Sequence, residues 1–334
     1  MKQRSIHHVA VSELGLGCMN INHAYEPKLD RAQSQRLLAF AFDLGITHFD
    51  TAALYGFGVN EEWVGEAIKP FRSKLLLASK CGMTGVNGRR VIDGRPEVIT
   101  RTCHDALRRL QVDHIDLYYL HRWDKRIPIE ESVGAMADLV HKGLITAIGL
   151  SEVSVTTLKK AHAVHPIAAV QNEYSLWTRD PELALLEACR DLKIALVAFS
   201  PLGRGFLAGS VNENTQFAAN DIRATMPRFQ SPHKQSNLRL MVEFNKLAAS
   251  VNCTAAQLAL AWLLNRAPHV LPIFGTTSVS HLHENVASSS LHFSADVFAN
   301  VDSLFNGSLI SGGRYPAEVM LEVDTEENSG IGVH

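Results

Sequence analysis

The sequence predicts a (β/α)8 barrel built as one domain over residues 1–334, and three observations carry that prediction. Short apolar runs alternate with helical patterns about eight times along the chain. The runs are apolar almost throughout rather than at every second residue, as parallel strands covered on both faces require. Polar residues stand where the runs stop: Asp50, Lys80, His121, Ser151, Gln171 with Asn172, Ser200, and Thr276 with Thr277. The rival is a doubly wound sheet with a dinucleotide-binding fingerprint. No Gly-x-Gly-x-x-Gly follows a strand here, because Gly15 and Gly17 lead into Cys18-Met19-Asn20.

Taken in order, Leu14 to Met19 reads as the first strand and its exit. A helical pattern from Ser34 to Leu44 ends at Gly45, a good C-terminal stop. Thr47 to Asp50 is the second strand, with Tyr55 on the loop beyond it. Glu61 to Ile68 is helical, Lys74 to Ser79 a strand, and Pro96 to Leu110 a helix with proline at an early position. Ile115 to Leu120 is a strand, Pro128 to Lys142 a helix, Ala147 to Ser151 a strand and Ser154 to Val164 a helix. Ala168 to Gln171, a helix from Glu182 to Asp191, and Ala195 to Ser200 continue the alternation. Helical patterns over Asn237–Val251 and Thr254–Asn265 precede the last strand, Val270 to Phe274, and His281 to Ser288 opens a final helix. Two regions fall outside the repeat. Residues 201–236, after the seventh strand, are too long for an ordinary connection and are expected to form a lid or cofactor loop. The acidic, aperiodic tail, 322–334, is expected to be flexible.

Composition narrows the function. A formal charge of -2 provides no general field for nucleic acid or anionic lipid, so any anion must be bound locally. Five scattered cysteines without a Cys-x-x-Cys fit neither a disulfide framework nor a zinc site, and point to the cytoplasm. The start of the chain lacks the apolar core of a signal peptide, and no run approaches 18 uninterrupted apolar residues, so no membrane partner is expected. The histidines form no ligand-like cluster, so no metal is expected.

The strand ends carry the chemistry. In barrel enzymes the active site lies at the C-terminal ends of the strands, where the loops converge. Alone, an Asp there is more often a cap, a His a packing residue and a Lys a solvated charge; their convergence is what signals a site. A tyrosine hydroxyl is a poor acid near neutrality unless a nearby cation stabilises its phenolate, and Lys80 can be that cation. Asp50 would keep Lys80 charged, and His121 could hydrogen-bond a carbonyl oxygen. Such a group delivers a proton but no electrons, so a hydride donor is needed, for which nicotinamide is the usual choice.

Asp50-Thr51-Ala52-x-x-Tyr55-Gly56, Lys80 and Leu120-His121-Arg122 together resemble the Asp/Tyr/Lys/His tetrad of the aldo-keto reductase superfamily. The likeness extends through Gly15–Met19, Val170–Ser175, Phe199–Gly205 and Glu284-Asn285, and is nearest to the bacterial and fungal pyridoxal reductase and general aldehyde reductase branch, which shares the Ala169 to Trp177 run. The resemblance implies an NAD(P)H-dependent aldehyde or carbonyl reductase on a TIM barrel. Tyr55 is then the acid, Asp50 and Lys80 tune it, and His121 orients the carbonyl. Ser151 and Gln171 would hold the nicotinamide carboxamide with Asn172 adjacent, and Phe199 would stack on the ring. The backbone of Ser200, Leu202 and Gly203 would approach the pyrophosphate, and Glu284 and Asn285 the adenine.

One departure concerns the cofactor. Where relatives commonly carry Lys or Arg just after the Gly-Thr of the last strand, here Gly275-Thr276, this chain has Thr277 and Ser278, with His281 nearby. NADP(H) remains the expected cofactor and NAD(H) the alternative; Arg204, Arg223 and Arg228 are candidates for the missing charge. The partner is a small carbonyl compound such as an aromatic aldehyde, and Met19, Tyr25, Phe57, Trp63, Trp123, Tyr174 and Trp177 are candidates to line its pocket. The alternative function is a cofactor-binding regulatory or scaffold protein similar to potassium-channel β subunits. The strand-like start within the first 20 residues argues against it.

Overall fold

The computed structural model describes residues 1–306 and 309–326. Eight parallel strands close on themselves: β1 (Gly15–Gly17), β2 (His48–Asp50), β3 (Leu76–Cys81), β4 (Ile115–Leu120), β5 (Ile145–Ser151), β6 (Ile167–Glu173), β7 (Ala195–Phe199) and β8 (Val270–Phe274), with β8 pairing back to β1. The register brings the predicted strand ends to one mouth. Gly17 lies opposite Asp50, Lys80 opposite Tyr119, and Gln171 opposite both Ser151 and Val197. Since alternate residues face the barrel interior, His48 lies one layer beneath Asp50, and Ala78 one beneath Lys80.

Leu76, Ala78, Leu117, Tyr119, Ala147, Ala169, Ala195, Val197, Leu271 and Ile273 share one buried inner cluster. Large and small residues alternate around it, and a Cβ on Gly149 would overlap the Tyr119 ring. At the opposite end from the mouth, a hairpin of Gln3–Ile6 with Val9–Ser12 sends Ile6 and Val11 into the same cluster. Arg4 reinforces that end by donating to the carbonyls of Leu264 (2.5 Å), Ala267 (2.6 Å) and Val270.

Around the strands lie α1 (Arg31–Asp43), α2 (Val59–Ile68), α3 (Pro96–Leu110), α4 (Ile129–His141), α5 (Val155–Val164), α6 (Leu185–Asp191), α7 (His233–Ser250), α8 (Ala255–Arg266), α9 (Val279–Ala287), α10 (Ala295–Leu304) and α11 (Ala317–Met320). Helix α1 begins before the first predicted helical residue because Asp30 and Gln33 form a reciprocal capping box. The single helix predicted over Glu182–Asp191 is divided. A 3₁₀ turn, Asp180–Leu183, precedes α6, and Ala184 between them is not helical (φ -158°, ψ -36°). A hairpin, Met83–Val86 with Arg89–Ile92, was not anticipated, although Asn87 (φ 49°) and Gly88 (φ 73°) form the Asn-Gly turn that marks hairpins.

Residues 201–232 pack onto the main apolar core rather than forming one of their own. Phe206, Leu207, Met226 and Phe229 are buried, and the Trp177 ring lies 4.2 Å from Phe206 and 6.4 Å from Phe229. The tail also differs from expectation over its first residues. Lys125 donates to the carbonyls of Leu321 (2.9 Å) and Val323 (2.8 Å), Asp324 bridges to Val153, and Glu326 accepts from the Val155 N–H (2.6 Å). The rest of the predicted tail, 327–334, lies outside the described residues. Among the described residues no single helix is long and apolar enough to cross a membrane.

Candidate active site

Three strand ends build the floor of the mouth. β2 ends in Asp50, β3 carries Lys80 next to last, and β6 carries Gln171; all three are buried. The Lys80 ammonium pairs with Asp50 Oδ1, donates to the Thr51 carbonyl (2.9 Å), and lies 3.3 Å from the Tyr55 hydroxyl. Gln171 Nε2 donates to the other Asp50 oxygen at 2.7 Å. Burial works against charge on Lys80, but Asp50 and the phenol oxygen outweigh it and raise its pKa, so the lysine is a cation at neutral pH. Burial also raises the Tyr55 phenol above its ordinary value, with Lys80 pulling the other way. The sequence reading has Lys80 lower the Tyr55 pKa; here the loss of water around the ring wins.

The loop holding Tyr55 turns through left-handed backbone at Gly56 (φ 55°), Phe57 (φ 53°) and Gly58 (φ 98°). His121, just past β4, meets the Tyr55 ring edge-on at 5.8 Å. Burial first, then the charges of Lys80 and Arg122, lower its pKa well below the ordinary value, so the ring is neutral. Its Nδ1 is buried without a partner, and among the described residues no hydrogen bond engages Nε2. His23 stacks on the Tyr55 ring at 5.7 Å, its pKa brought down to about 4 by burial.

Asp50, Tyr55, His121, Gln171 and His23 open onto a cleft of about 1310 Å³, while Lys80 is fully buried and does not line it. That volume exceeds the roughly 300–1,000 Å³ of a site for one drug-sized molecule, and leaves room for an extended ligand beside a small one. Asp50, Tyr55 and His121 line it, as do Ser151, Gln171, Phe199, Ser200, Leu202, Arg204, Thr276, Thr277, His281, Glu284 and Asn285. Two predicted cofactor residues lie elsewhere. Asn172 follows the inward Gln171 and points out of the barrel, where it accepts from the Glu152 N–H at 2.8 Å. Gly203 makes a turn, its N–H bonded to the Ser200 carbonyl (2.9 Å) beneath Trp177.

Of the aromatic candidates, Met19 and Tyr25 reach the cleft. Tyr174 and Trp177 are core residues, Trp63 packs against the core, and Trp123 donates to the Ile127 carbonyl at 2.8 Å. Phe57 is exposed and outside the lining.

The three candidate arginines already have protein partners, although Arg204 and Arg223 line the cleft. Arg223 pairs with Asp221 at 2.7 Å, and Arg228 donates to Thr178 at 2.8 Å. Arg204 lines the cleft but pairs with Glu173 at 3.0 Å and donates to the Tyr315 hydroxyl at 2.9 Å. It belongs to a buried charge cluster in which Arg314 reaches Glu152 (2.6 Å) and Glu173 (3.4 Å). Burial would raise the Glu173 carboxyl, but Arg314, Arg204 and Arg228 together bring it down to about 2. Ser278 caps α9, accepting from the His281 N–H at 3.3 Å.

The insertion is tied across the mouth. The Ile222 N–H donates to the Ala24 carbonyl (2.8 Å), and Asp221 accepts from the Glu26 N–H (3.3 Å). Arg90, Arg122 and Tyr315 also line the cleft and were not singled out from sequence. Arg122 was legible as the neighbour of His121. Tyr315 had no signal, since it comes from a segment without periodicity.

A model of the aldo/keto reductase family matches residues 13–306. The chain is 42% identical over 308 residues to a probable aldo-keto reductase 1 of Glycine max, covering 91% of this chain and 88% of that one. A glycerol dehydrogenase from Gluconobacter oxydans superposes with a TM-score of 0.83 at 29% identity, over 90% of this chain and 94% of that one. An aldo/keto reductase from Klebsiella pneumoniae, solved with NADP and acetate, superposes at 0.70 and 27% identity, over 95% and 99%.

Proposed function

The chain belongs to the aldo/keto reductase family, an oxidoreductase family using nicotinamide cofactors on small carbonyl compounds, and on that premise we propose a specific reading. The protein is a single-domain reductase of aldehydes or ketones, with Tyr55 giving the proton to the carbonyl oxygen. The arrangement of Tyr55 carries this reading: it lines the cleft, with its hydroxyl 3.3 Å from the buried Lys80 ammonium.

The nicotinamide, when bound, supplies the hydride to the carbonyl carbon. The chain's own groups do the rest. A phenol held protonated can transfer its proton to an oxygen that becomes alkoxide-like, and Lys80 stabilises the phenolate left behind. Asp50 and Gln171 hold Lys80 at the distance where it acts. Neutral His121, with its hydrogen on Nε2, donates to the same carbonyl oxygen and fixes its direction.

Residues of the right kind line the rest of the cleft for a dinucleotide. Phe199 offers an aromatic face beside the Ser151 hydroxyl, and Ser200, Leu202, Thr276, Thr277, Glu284 and Asn285 continue the wall. NADP(H) is the proposed cofactor, in keeping with the NADP held by the Klebsiella neighbour. NAD(H) is the alternative, because hydroxyls stand at Thr277 and Ser278 where a charge would be expected. The tied-down insertion acts as the cover over this ligand, and the five free cysteines fit a reducing cytoplasm.

The test is the initial rate of cofactor oxidation with an activated aromatic aldehyde, run with NADPH and with NADH. Turnover with either supports a reductase. Tight cofactor binding without turnover would transfer the weight to a regulatory role.

A further inference from the structure

Two arginines of this chain are as little as 8% exposed, Arg122 and Arg314. Arg314 has the carboxylate of Glu152 at 2.6 Å. Arg122 has none. Its Nη1 donates to the His121 carbonyl at 2.8 Å and to Ser151 Oγ at 3.3 Å. Among the described residues no hydrogen bond or ion pair engages Nε or Nη2. These donors are also not among the fully buried unpaired atoms, so they face the cleft that the side chain lines.

A guanidinium stripped of water and left without a counter-ion is unfavourable, and it persists where a ligand completes it. No carboxylate of the described residues comes within ion-pair distance of Arg122: of those lining the cleft, Asp50 is paired with Lys80, Asp221 with Arg223 and Glu26 with Lys28, and neither Glu284 nor Glu318 reaches it. The cofactor is a poor counter-ion at this point. Its carboxamide is neutral and its oxidised ring is positive, so the anion must come from the other ligand. The position suits that ligand's reactive end, since the charge of Arg122 acts on both the Tyr55 phenol and the His121 ring.

We propose that Arg122 receives the carboxylate of an oxo acid, so that the compound reduced here carries an acid group a few bonds from its carbonyl. The fork of Nε and Nη2 matches the two oxygens of a carboxylate in a bidentate pair. Ser151, accepting from Nη1, ties this anchor to the cofactor side of the cleft. The inference rests on the reductase reading and names the substrate class for it.

The test compares succinic semialdehyde and 4-carboxybenzaldehyde, each with its methyl ester, under saturating NADPH. In the wild type at least one acid should exceed its ester in kcat/KM by roughly 10- to 100-fold, mostly through KM, as expected for a charge-assisted pair. Arg122→Gln should erase most of that ratio, and Arg122→Lys should recover part of it, a pattern that a merely structural role would not give. Esters reduced as well as both acids by the wild type would overturn the proposal and leave the reductase intact, whatever the variants do. An Arg122→Gln that slows acid and ester equally would likewise overturn it, reassigning Arg122 to the cofactor. No turnover of any of the four compounds would overturn this proposal, and no turnover of the activated aromatic aldehyde either would overturn the reductase reading itself.

Discussion

Two buried charge clusters lie within one cleft wall of each other, and they differ in how completely they are closed. The floor cluster joins Asp50, Lys80, Tyr55 and Gln171 from the ends of β2, β3 and β6. The wall cluster joins Glu152 and Glu173 to Arg204, Arg228 and Arg314, which come from the insertion and the C-terminal segment. In the wall each Glu173 oxygen has protein donors, Thr178 at 2.9 Å on one side and Arg204 at 3.0 Å on the other. In the floor the Tyr55 hydroxyl, His121 Nε2 and the nearby Arg122 fork remain open to the cleft. A cluster closed upon itself holds elements together, whereas one with open donors is completed by a ligand and can react.

The sharpest way to break this comparison is at Tyr55. Tyr55→Phe removes the open hydroxyl and little volume, so turnover should fall by roughly 10²- to 10⁴-fold while fluorescence titration shows cofactor still bound. Unchanged turnover would take the floor cluster out of the chemistry.

Glu173→Gln should do the reverse. It leaves three guanidinium groups without their shared carboxylate, at a cost of about 3 kcal/mol in denaturant unfolding, and it should raise KM for the cofactor through Arg204. The pH dependence of turnover should stay put. The carboxyl is held at about 2, below its value in the unfolded chain, so its stabilisation is complete above about pH 4.5 and is lost as pH falls towards 2.

His48 sharpens the contrast from beneath the floor. It is fully buried with neither ring nitrogen partnered, and burial lowers its pKa to about 4. The unfolded chain binds its proton first, so stability should decline as pH falls from about 6.5 to about 4, by on the order of 3 kcal/mol. Replacing it in His48→Leu should flatten that part of the unfolding profile; an unchanged slope would mean the ring is protonated in the folded state.

The smallest effect is expected at the far end of the cleft. Thr277→Lys adds a charge where the chain has hydroxyls, and should move the ratio of KM values towards NADPH by roughly three- to tenfold. No change in that ratio would place the 2′-phosphate elsewhere.

The barrel and the floor are legible in the sequence. Both rest on local signals: eight apolar runs, each with a polar stop, and a spacing from Asp50 to Tyr55 that one loop can span. Ile115–Leu120, Val270–Phe274 and Pro96–Leu110 fall where the pattern places them. The Asn87-Gly88 turn is an equally local signal. Tertiary structure alone decided which polar residues are open and which are closed. Asn172 and Gln171 are neighbours in the chain, yet the pleat turns one outward and the other into the cleft. Arg204 and Arg122 look alike in sequence. Glu173, Tyr315 and the rest of the wall close the first, and among the described residues no carboxylate reaches the second. Partnership of that kind depends on residues 31 to 111 positions apart in the chain meeting in space, which no local pattern encodes.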